Sequence, residues 1–208
     1  MKKINWNFLI FTCMILLMTI CLGLYFYEEL PETMAVHFNI ENRADNFASK
    51  NFALFGIPII MVLLQAFCCI ISDINENKKG NPPKIIKIVK WIIPIITAIV
   101  YVLTILVGLG KEVNIGKIIS IFLGLMFMVI GNYMPKMSYE DAKGNINPMP
   151  KTEKSFKHMM RLLGYTFVIG GILIIGAIFI SNTASFVAIM GVCLIVFIES
   201  LYFSFKKN

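Results

Sequence analysis

His37 is the side chain in this sequence best suited to acid–base chemistry or metal binding. It is one of two histidines, and Glu32, Glu41 and Asp45 lie close to it in the chain. A histidine beside a carboxylate can transfer protons, and the same groups can ligate a metal ion. A catalytic zinc, however, usually takes three protein ligands, and no H-E-x-x-H, G-x-S-x-G or paired-aspartate motif is present. We therefore predict no enzyme activity, no metal site and no cofactor.

The alternative role for His37 is structural. Val36 and Phe38 are apolar and alternate with polar neighbours, which is the period of a half-buried strand. Asn42 can adopt a positive φ, as a tight turn requires. The sequence therefore predicts an ordered loop in which His37 bonds either to Asp45 or to the loop backbone.

Composition determines the class of protein that carries this loop. The chain is 58% hydrophobic and 15% charged, with a mean hydropathy of +0.77, which is too apolar for a soluble domain. A membrane span needs about 20 apolar residues. Six runs reach that length: residues 8–27, 52–72, 85–108, 115–134, 162–180 and 186–205. We predict an all-α, polytopic integral membrane protein with six transmembrane helices.

The basic residues predict the orientation of these helices in the cell membrane. With both termini in the cytoplasm, the 19 Lys and Arg residues fall on inner segments except for Arg43, Lys50, Lys111 and Lys117. Cytoplasmic loops carry such an excess. The His37 loop then faces outward, and His158 lies on the other side of the membrane. The net charge of +7 is explained by lysines at membrane ends, so no nucleic-acid partner is expected.

Two further features concern the spans themselves. Pro94 frees a backbone carbonyl within the third span and is expected to bend it, while Lys90 is expected to extend to the interface. Glu199 is the one acidic residue inside a predicted span. An ionisable group at membrane depth is a candidate functional residue, but Glu199 is also near enough to Lys206 to reach the interface, and both interpretations stay open.

The loop residues also form a family pattern: Leu30, Pro31, His37, Phe38, Asn39, Asp45, Ser49 and Lys50. This pattern resembles the loop signature of the bacterial SdpI-type membrane proteins and of the uncharacterised domain at their N-terminus. The chain departs from it at Ala35, Asn42 and Phe47, where family members usually have proline, glycine and a larger aromatic residue. The candidate binding residues of the outer loop are Pro31, His37, Phe38, Asn39, Asp45, Ser49 and Lys50.

A second pattern follows the fourth span and resembles the G-N-x-x-P-K motif of the family's C-terminal half. Phe156 stands where family members have a tryptophan, and their G-x-R-T-P-W-T stretch is missing here. The candidate residues of this inner motif are Gly131, Asn132, Pro135, Lys136 and Arg161. The resemblance divides the chain into two units: 1–83, a two-helix unit with outer loop 28–51, and 84–208, a four-helix unit with inner loop 135–161.

The resemblance implies a membrane immunity protein, which protects a bacterium from its own secreted, membrane-active killing peptide. Some family members also hold a transcriptional repressor at the membrane. An acidic outer loop suits a cationic or amphipathic peptide, so we expect capture or exclusion of the peptide without chemistry. One alternative is a sensor that tethers a repressor without direct protection. The other is a small transporter, for which polar groups within spans are few: Gln65, Thr97, Thr104 and Glu199.

Overall fold

The structure is a computed structural model that describes residues 4–76, 84–142, 150 and 152–205. Among these residues, six helical segments are long and apolar enough to cross a membrane. The predicted fold class, a helical protein with six spans, is confirmed. The elements in chain order are α1 (Trp6–Tyr25), β1 (Thr33–Phe38), β2 (Ala44–Ser49), α2 (Ile57–Glu76), α3 (Lys84–Val89), α4 (Ile92–Gly108), α5 (Ile115–Tyr133), α6 (Tyr139–Ala142), α7 (Glu153–Ala177) and α8 (Asn182–Phe205).

The fifth span begins nearer the N-terminus than the sequence predicts. The apolar run starts at residue 162, but α7 begins at Glu153. Thr152 caps the helix, because its hydroxyl accepts a hydrogen bond from the Ser155 backbone N–H at 3.2 Å. The first turns are then held by burial of Phe156 and Met160. Hydropathy locates the apolar stretch, whereas the cap determines where the helix starts.

The chain forms two compact units. The first comprises Met1–Asn77 with Val89–Ile115, and the second comprises Lys78–Ile88 with Gly116–Asn208. Packing therefore groups α4 with α1 and α2. The predicted division at residue 83 came from the family resemblance and did not concern how the helices pack. It stays a prediction.

The core of the first unit joins the loop to the helices. Its buried residues come from the loop, from the segment before α2 and from α4: Leu30, Met34, Ala53, Leu54, Tyr101 and Ile105. Gly108 leaves the room that the loop needs, because a Cβ there would lie 2.7 Å from Leu30 Cδ2. The underside of the loop is thus part of the hydrophobic core.

The third span is interrupted between α3 and α4, as Pro94 predicts. Proline has no N–H for the carbonyl four residues earlier, which is that of Lys90. The side chain of Gln65 on α2 supplies the missing bond, since its Nε2 donates to Lys90 O at 3.1 Å. A neighbouring helix thereby satisfies the backbone group that the proline leaves open.

In the second span, too, a proline leaves a carbonyl open, and here the third span supplies the donor. A π-helix, Phe52–Gly56, precedes α2, and Pro58 cannot donate to the carbonyl of Leu54. Here the hydroxyl of Tyr101 on α4 donates to Leu54 O at 3.1 Å. The second and third spans therefore each supply a hydrogen bond that a proline leaves open in the other.

In the second unit, α5 and α7 approach closely through glycines. A Cβ on Gly164 would lie 2.8 Å from the backbone oxygen of Gly131 and 2.9 Å from the ring of Pro135. Any larger residue at Gly164 would push the helices apart. Small residues at this contact let the two helix backbones approach closely.

Candidate functional site

The loop of the first unit is an antiparallel β-hairpin of β1 and β2. Asn39 organises its turn, because Oδ1 accepts from the backbone N–H groups of Glu41 at 3.0 Å and Arg43 at 2.9 Å. Asn42 adopts a φ of 63°, which confirms the positive φ expected there. Its side-chain Nδ2 donates to Val113 O at 2.9 Å. The tip of the hairpin is thus fastened to the segment that follows α4.

The register of the hairpin skips one residue on each strand, Val36 on β1 and Asp45 on β2. Such bulges redirect side chains. Asp45 Oδ1 lies 2.5 Å from His37 Nδ1, so the contact that the sequence offered as one of two alternatives is made. The pairs around the two bulges are Ala35 with Phe47, His37 with Asn46, and Phe38 with Ala44.

The His37–Asp45 pair lies on the surface. The side chains are 66% and 42% exposed, so solvent screens their attraction and the pair adds at most about 1 kcal/mol to stability. Val36 and Phe38 on the same strand are half-buried. The hairpin therefore has an anchored apolar side and presents a polar pair on its other side.

Lys50 closes the base of the hairpin from within. Its side chain is 8% exposed, and Nζ lies 3.0 Å from Glu32 Oε1. Nζ also donates to the carbonyl oxygens of Leu30 at 3.1 Å and Tyr27 at 3.3 Å. The buried ammonium is therefore placed to hold the loop rather than to meet a partner at the surface.

The other candidate residues of the hairpin are placed as follows. Pro31 and Ser49 are exposed near the base, where Ser49 Oγ accepts from the Phe52 backbone N–H at 3.4 Å. Asn39 forms the turn, and Phe38 is half-buried. The structure thus brings together His37 and Asp45. The remaining candidates lie in the turn, on the strand or near the base of the hairpin. Their part in binding stays a prediction.

The exposed surface of the hairpin region is acidic. Glu28, Glu29 and Asp45 are exposed, whereas the two basic residues of the loop already contact carboxylates. Arg43 lies 3.3 Å from Glu41 and Lys50 lies 3.0 Å from Glu32. Two apolar side chains, Ile40 and Phe47, are also exposed there. Negative charge beside exposed apolar groups is the complement of an amphipathic cation.

A buried polar network lies at the opposite end of the first unit, and sequence analysis missed it. Asp73 Oδ1 lies 2.6 Å from Lys90 Nζ, with side chains 7% and 10% exposed. The Asn5 backbone N–H donates to Asp73 Oδ2 at 2.9 Å. Lys90 therefore contacts a carboxylate at the end of a neighbouring helix, and its position relative to the membrane interface stays a prediction.

Gln65 extends the network towards the middle of the spans. Its side chain is fully buried, and Nε2 donates to Thr12 Oγ1 at 3.1 Å as well as to Lys90 O. Helices α1 and α2 and the segment just before α4 meet at this side chain. Two features of the sequence indicate this contact. Gln65 is a polar residue within an apolar run, and Pro94 leaves the carbonyl of Lys90 without a helical donor.

The inner motif of the second unit has a packing role for two of its residues. Gly131 and Pro135 contact Gly164 closely. Asn132 Oδ1 accepts from Lys136 Nζ at 3.5 Å, and both side chains are exposed. The last candidate residue, Arg161, lies on the exposed face of α7.

Glu199 joins α8 to α7. Its Oε1 accepts from the Thr166 hydroxyl at 2.7 Å, while Oε2 is buried and has no hydrogen-bond partner within the described ranges. The acid therefore bonds to a neighbouring span instead of pointing into an open channel. In residues 4–76, 84–142, 150 and 152–205, no group of three or more His, Cys, Asp or Glu side chains could hold a metal ion.

The six spans and the polar hairpin between the first two define a multi-pass membrane protein. The family profile described as "Domain of unknown function (DUF1648)" matches residues 14–62, which include the whole hairpin. The chain is also similar to the protein named "Immunity protein SdpI" of Bacillus subtilis (strain 168). The two are 28% identical over 177 residues, which cover 84% of this chain and 80% of the relative. The chain is therefore similar over most of its length to an SdpI-type protein, in agreement with the resemblance of the hairpin motif. No solved structure matches it.

Proposed function

We propose that this chain is a membrane immunity protein that protects a bacterium from a secreted, membrane-active peptide. The observation that carries the proposal is the exposed His37–Asp45 pair on a hairpin whose other side is anchored in the core of the helices. A rigid support with an exposed polar group is what recognition of a partner needs. The similarity to a relative named as an immunity protein supports the same role.

The proposed mechanism needs no chemical step. Acidic side chains of the hairpin attract a cationic or amphipathic peptide and raise its encounter rate. His37 and Asp45 then contact it directly, while Lys50, buried at the base, keeps the hairpin in shape. A peptide held at the hairpin is kept from inserting into the bilayer.

The proposal requires the hairpin to face the outside, with both termini in the cytoplasm. The five cysteines all lie in helices, so a cysteine placed at Asn46 can be labelled selectively with a membrane-impermeant maleimide. We expect Asn46→Cys to react in intact cells and Glu153→Cys to react only after permeabilisation. The reverse pattern would place the hairpin inside and end the proposal.

The experiment that tests protection compares a clean deletion strain with its complemented strain in spent medium from the wild-type parent. Survival and membrane potential are followed together. We expect the deletion strain to depolarise and die while the complemented strain keeps its potential. Equal survival of both strains, under conditions in which the gene is expressed, would contradict a role in self-protection.

A second function, signalling to a cytoplasmic repressor, is favoured by one observation. The start of α7 buries Phe156 against Tyr139 and leaves a basic face exposed, formed by Lys154, Lys157 and Arg161. Such a face suits an acidic protein partner. Deletion of residues 139–155 separates the two functions, because a pure sensor loses signalling while direct protection persists.

A further inference from the structure

A cavity of about 130 Å³ lies beside the hairpin, between the segment 53–61 and helix α4. It is lined almost entirely by carbon. An engineered apolar cavity of about 150 Å³ binds benzene, so this cavity has the size for one apolar side chain. Among the lining residues are Val36, Ala53, Met61, Thr97, Val100 and Thr104.

Two features of the backbone keep this cavity open. The π-helix Phe52–Gly56 and Pro58 break the regular course of the second span at this point. The nearby ring of Tyr101 cannot swing in to fill the space, because its hydroxyl donates to Leu54 O at 3.1 Å. The small side chain of Ala53 adds to the room.

Thr97 is one of the lining residues, but its hydroxyl oxygen lies inside the wall and not on the open surface of the cavity. The residue is 5% exposed, and its Oγ1 has no hydrogen-bond partner within the described residues. Other threonines in spans behave differently: Thr12 donates to Phe8 O at 3.0 Å and Thr104 to Val100 O at 2.9 Å, both within their own helix. Because Thr97 Oγ1 is closed off within the protein, the open surface of the cavity is nearly all apolar, which suits an apolar occupant.

Val36 connects the cavity with the surface of the hairpin. It is the residue that the register skips on β1, it lines the cavity, and it directly precedes His37. The lining positions 53 to 61 extend about 12 Å along the helix at about 1.5 Å per residue. An amphipathic peptide at a membrane surface buries its apolar face to a depth of about 5–10 Å. A peptide that contacts His37 can therefore reach the cavity with a side chain.

We propose that this cavity binds one apolar side chain of the amphipathic peptide whose polar part contacts the His37–Asp45 pair. This inference rests on the proposed function and adds a second subsite to it. The acidic hairpin selects the cationic part of the peptide, and the cavity selects an apolar residue next to it. Specificity then depends on the distance between the two parts along the peptide.

The first test fills the cavity from its edge. Val100 is exposed and lines the cavity, whereas Val102 is equally exposed on α4 and does not line it. We expect Val100→Phe to lower the tolerated concentration of spent medium about tenfold or more, which is the effect of losing one buried apolar side chain. Val102→Phe should match the wild type, and both variants should reach the membrane in normal amount.

The hairpin variants separate failure of this inference from failure of the proposed function. If His37→Ala loses protection while Val100→Phe keeps it, the cavity inference is overturned and the proposed function stands. If the wild-type chain gives no protection at all, both are overturned. Loss of protection in His37→Ala and Val100→Phe, but not in Val102→Phe, is the expected result.

The second test identifies the occupant directly. Cells grown with photo-methionine carry a photoreactive group at Met61 inside the cavity and at Met18, which is 66% exposed on α1. After irradiation in spent medium, we expect a peptide adduct at Met61 and none at Met18. Phospholipid adducts at Met61, or no adduct there, would overturn the inference, because the bilayer or nothing would then occupy the cavity.

Discussion

Each end of the first unit holds a carboxylate beside a basic side chain, and the two pairs differ in burial. His37 and Asp45 are 66% and 42% exposed, whereas Asp73 and Lys90 are 7% and 10% exposed. An exposed pair adds little to stability, so its groups remain available to a partner. Losing one member of a buried pair leaves an uncompensated charge. Burial thus separates a pair suited to recognition from a pair suited to architecture.

Removing one member of the buried pair should have the greatest effect. We expect Asp73→Ala to destabilise the folded protein by about 3–5 kcal/mol, because the buried Lys90 ammonium would lose the carboxylate that it contacts. The amount of protein in the membrane and its thermal unfolding in detergent measure this loss. The double variant Asp73→Leu with Lys90→Met removes both charges and should recover much of the stability. A double variant as unstable as the single one would show that the pair does more than neutralise charge.

Gln65→Leu should have the next largest effect. It removes the bonds from Gln65 to the carbonyl of Lys90 and to the hydroxyl of Thr12, and each lost buried bond costs about 1–3 kcal/mol. Thermal unfolding in detergent measures the change. Thr19→Val is the matched control, since it removes only a bond to Leu16 O within α1. Equal effects of the two substitutions would mean that Gln65 does not join α1, α2 and the segment before α4.

Lys50→Met tests the base of the hairpin. It keeps the length of the side chain but removes the bonds to Tyr27 O and Leu30 O, at a cost of about 1–3 kcal/mol confined to the hairpin. Faster amide hydrogen exchange in residues 33–49, with unchanged exchange in α1, is the expected result. Unchanged exchange throughout would indicate that the apolar anchors Leu30 and Met34 suffice.

The exposed pair should show the smallest effect on stability. We expect His37→Ala and Asp45→Ala to change stability by at most about 1 kcal/mol and to impair protection in spent medium. Arg43→Ala, which breaks the exposed contact with Glu41, is the control on the same hairpin and should leave protection intact. Wild-type protection in the His37 and Asp45 variants would contradict a role of the pair in recognition.

The parts of this structure that sequence predicts are those set by local pattern. Long apolar runs predict the six spans, alternation around His37 predicts the strand, and Pro94 predicts the break in the third span. The contact between Asp73 and Lys90 could not be predicted, because it depends on how three helix ends come together. The early start of α7 depends on a cap at Thr152 that hydropathy does not detect.

The exchange of hydrogen bonds between the second and third spans has a mechanical consequence. A slide of one helix past the other by a single residue, about 1.5 Å, would strip two carbonyls of their donors in a hydrocarbon environment that offers no substitute. The two helices must therefore move as one rigid piece. Since Tyr101 belongs to the same core as Leu30 and Met34 of the hairpin, a force applied to the hairpin is passed to both helices at once.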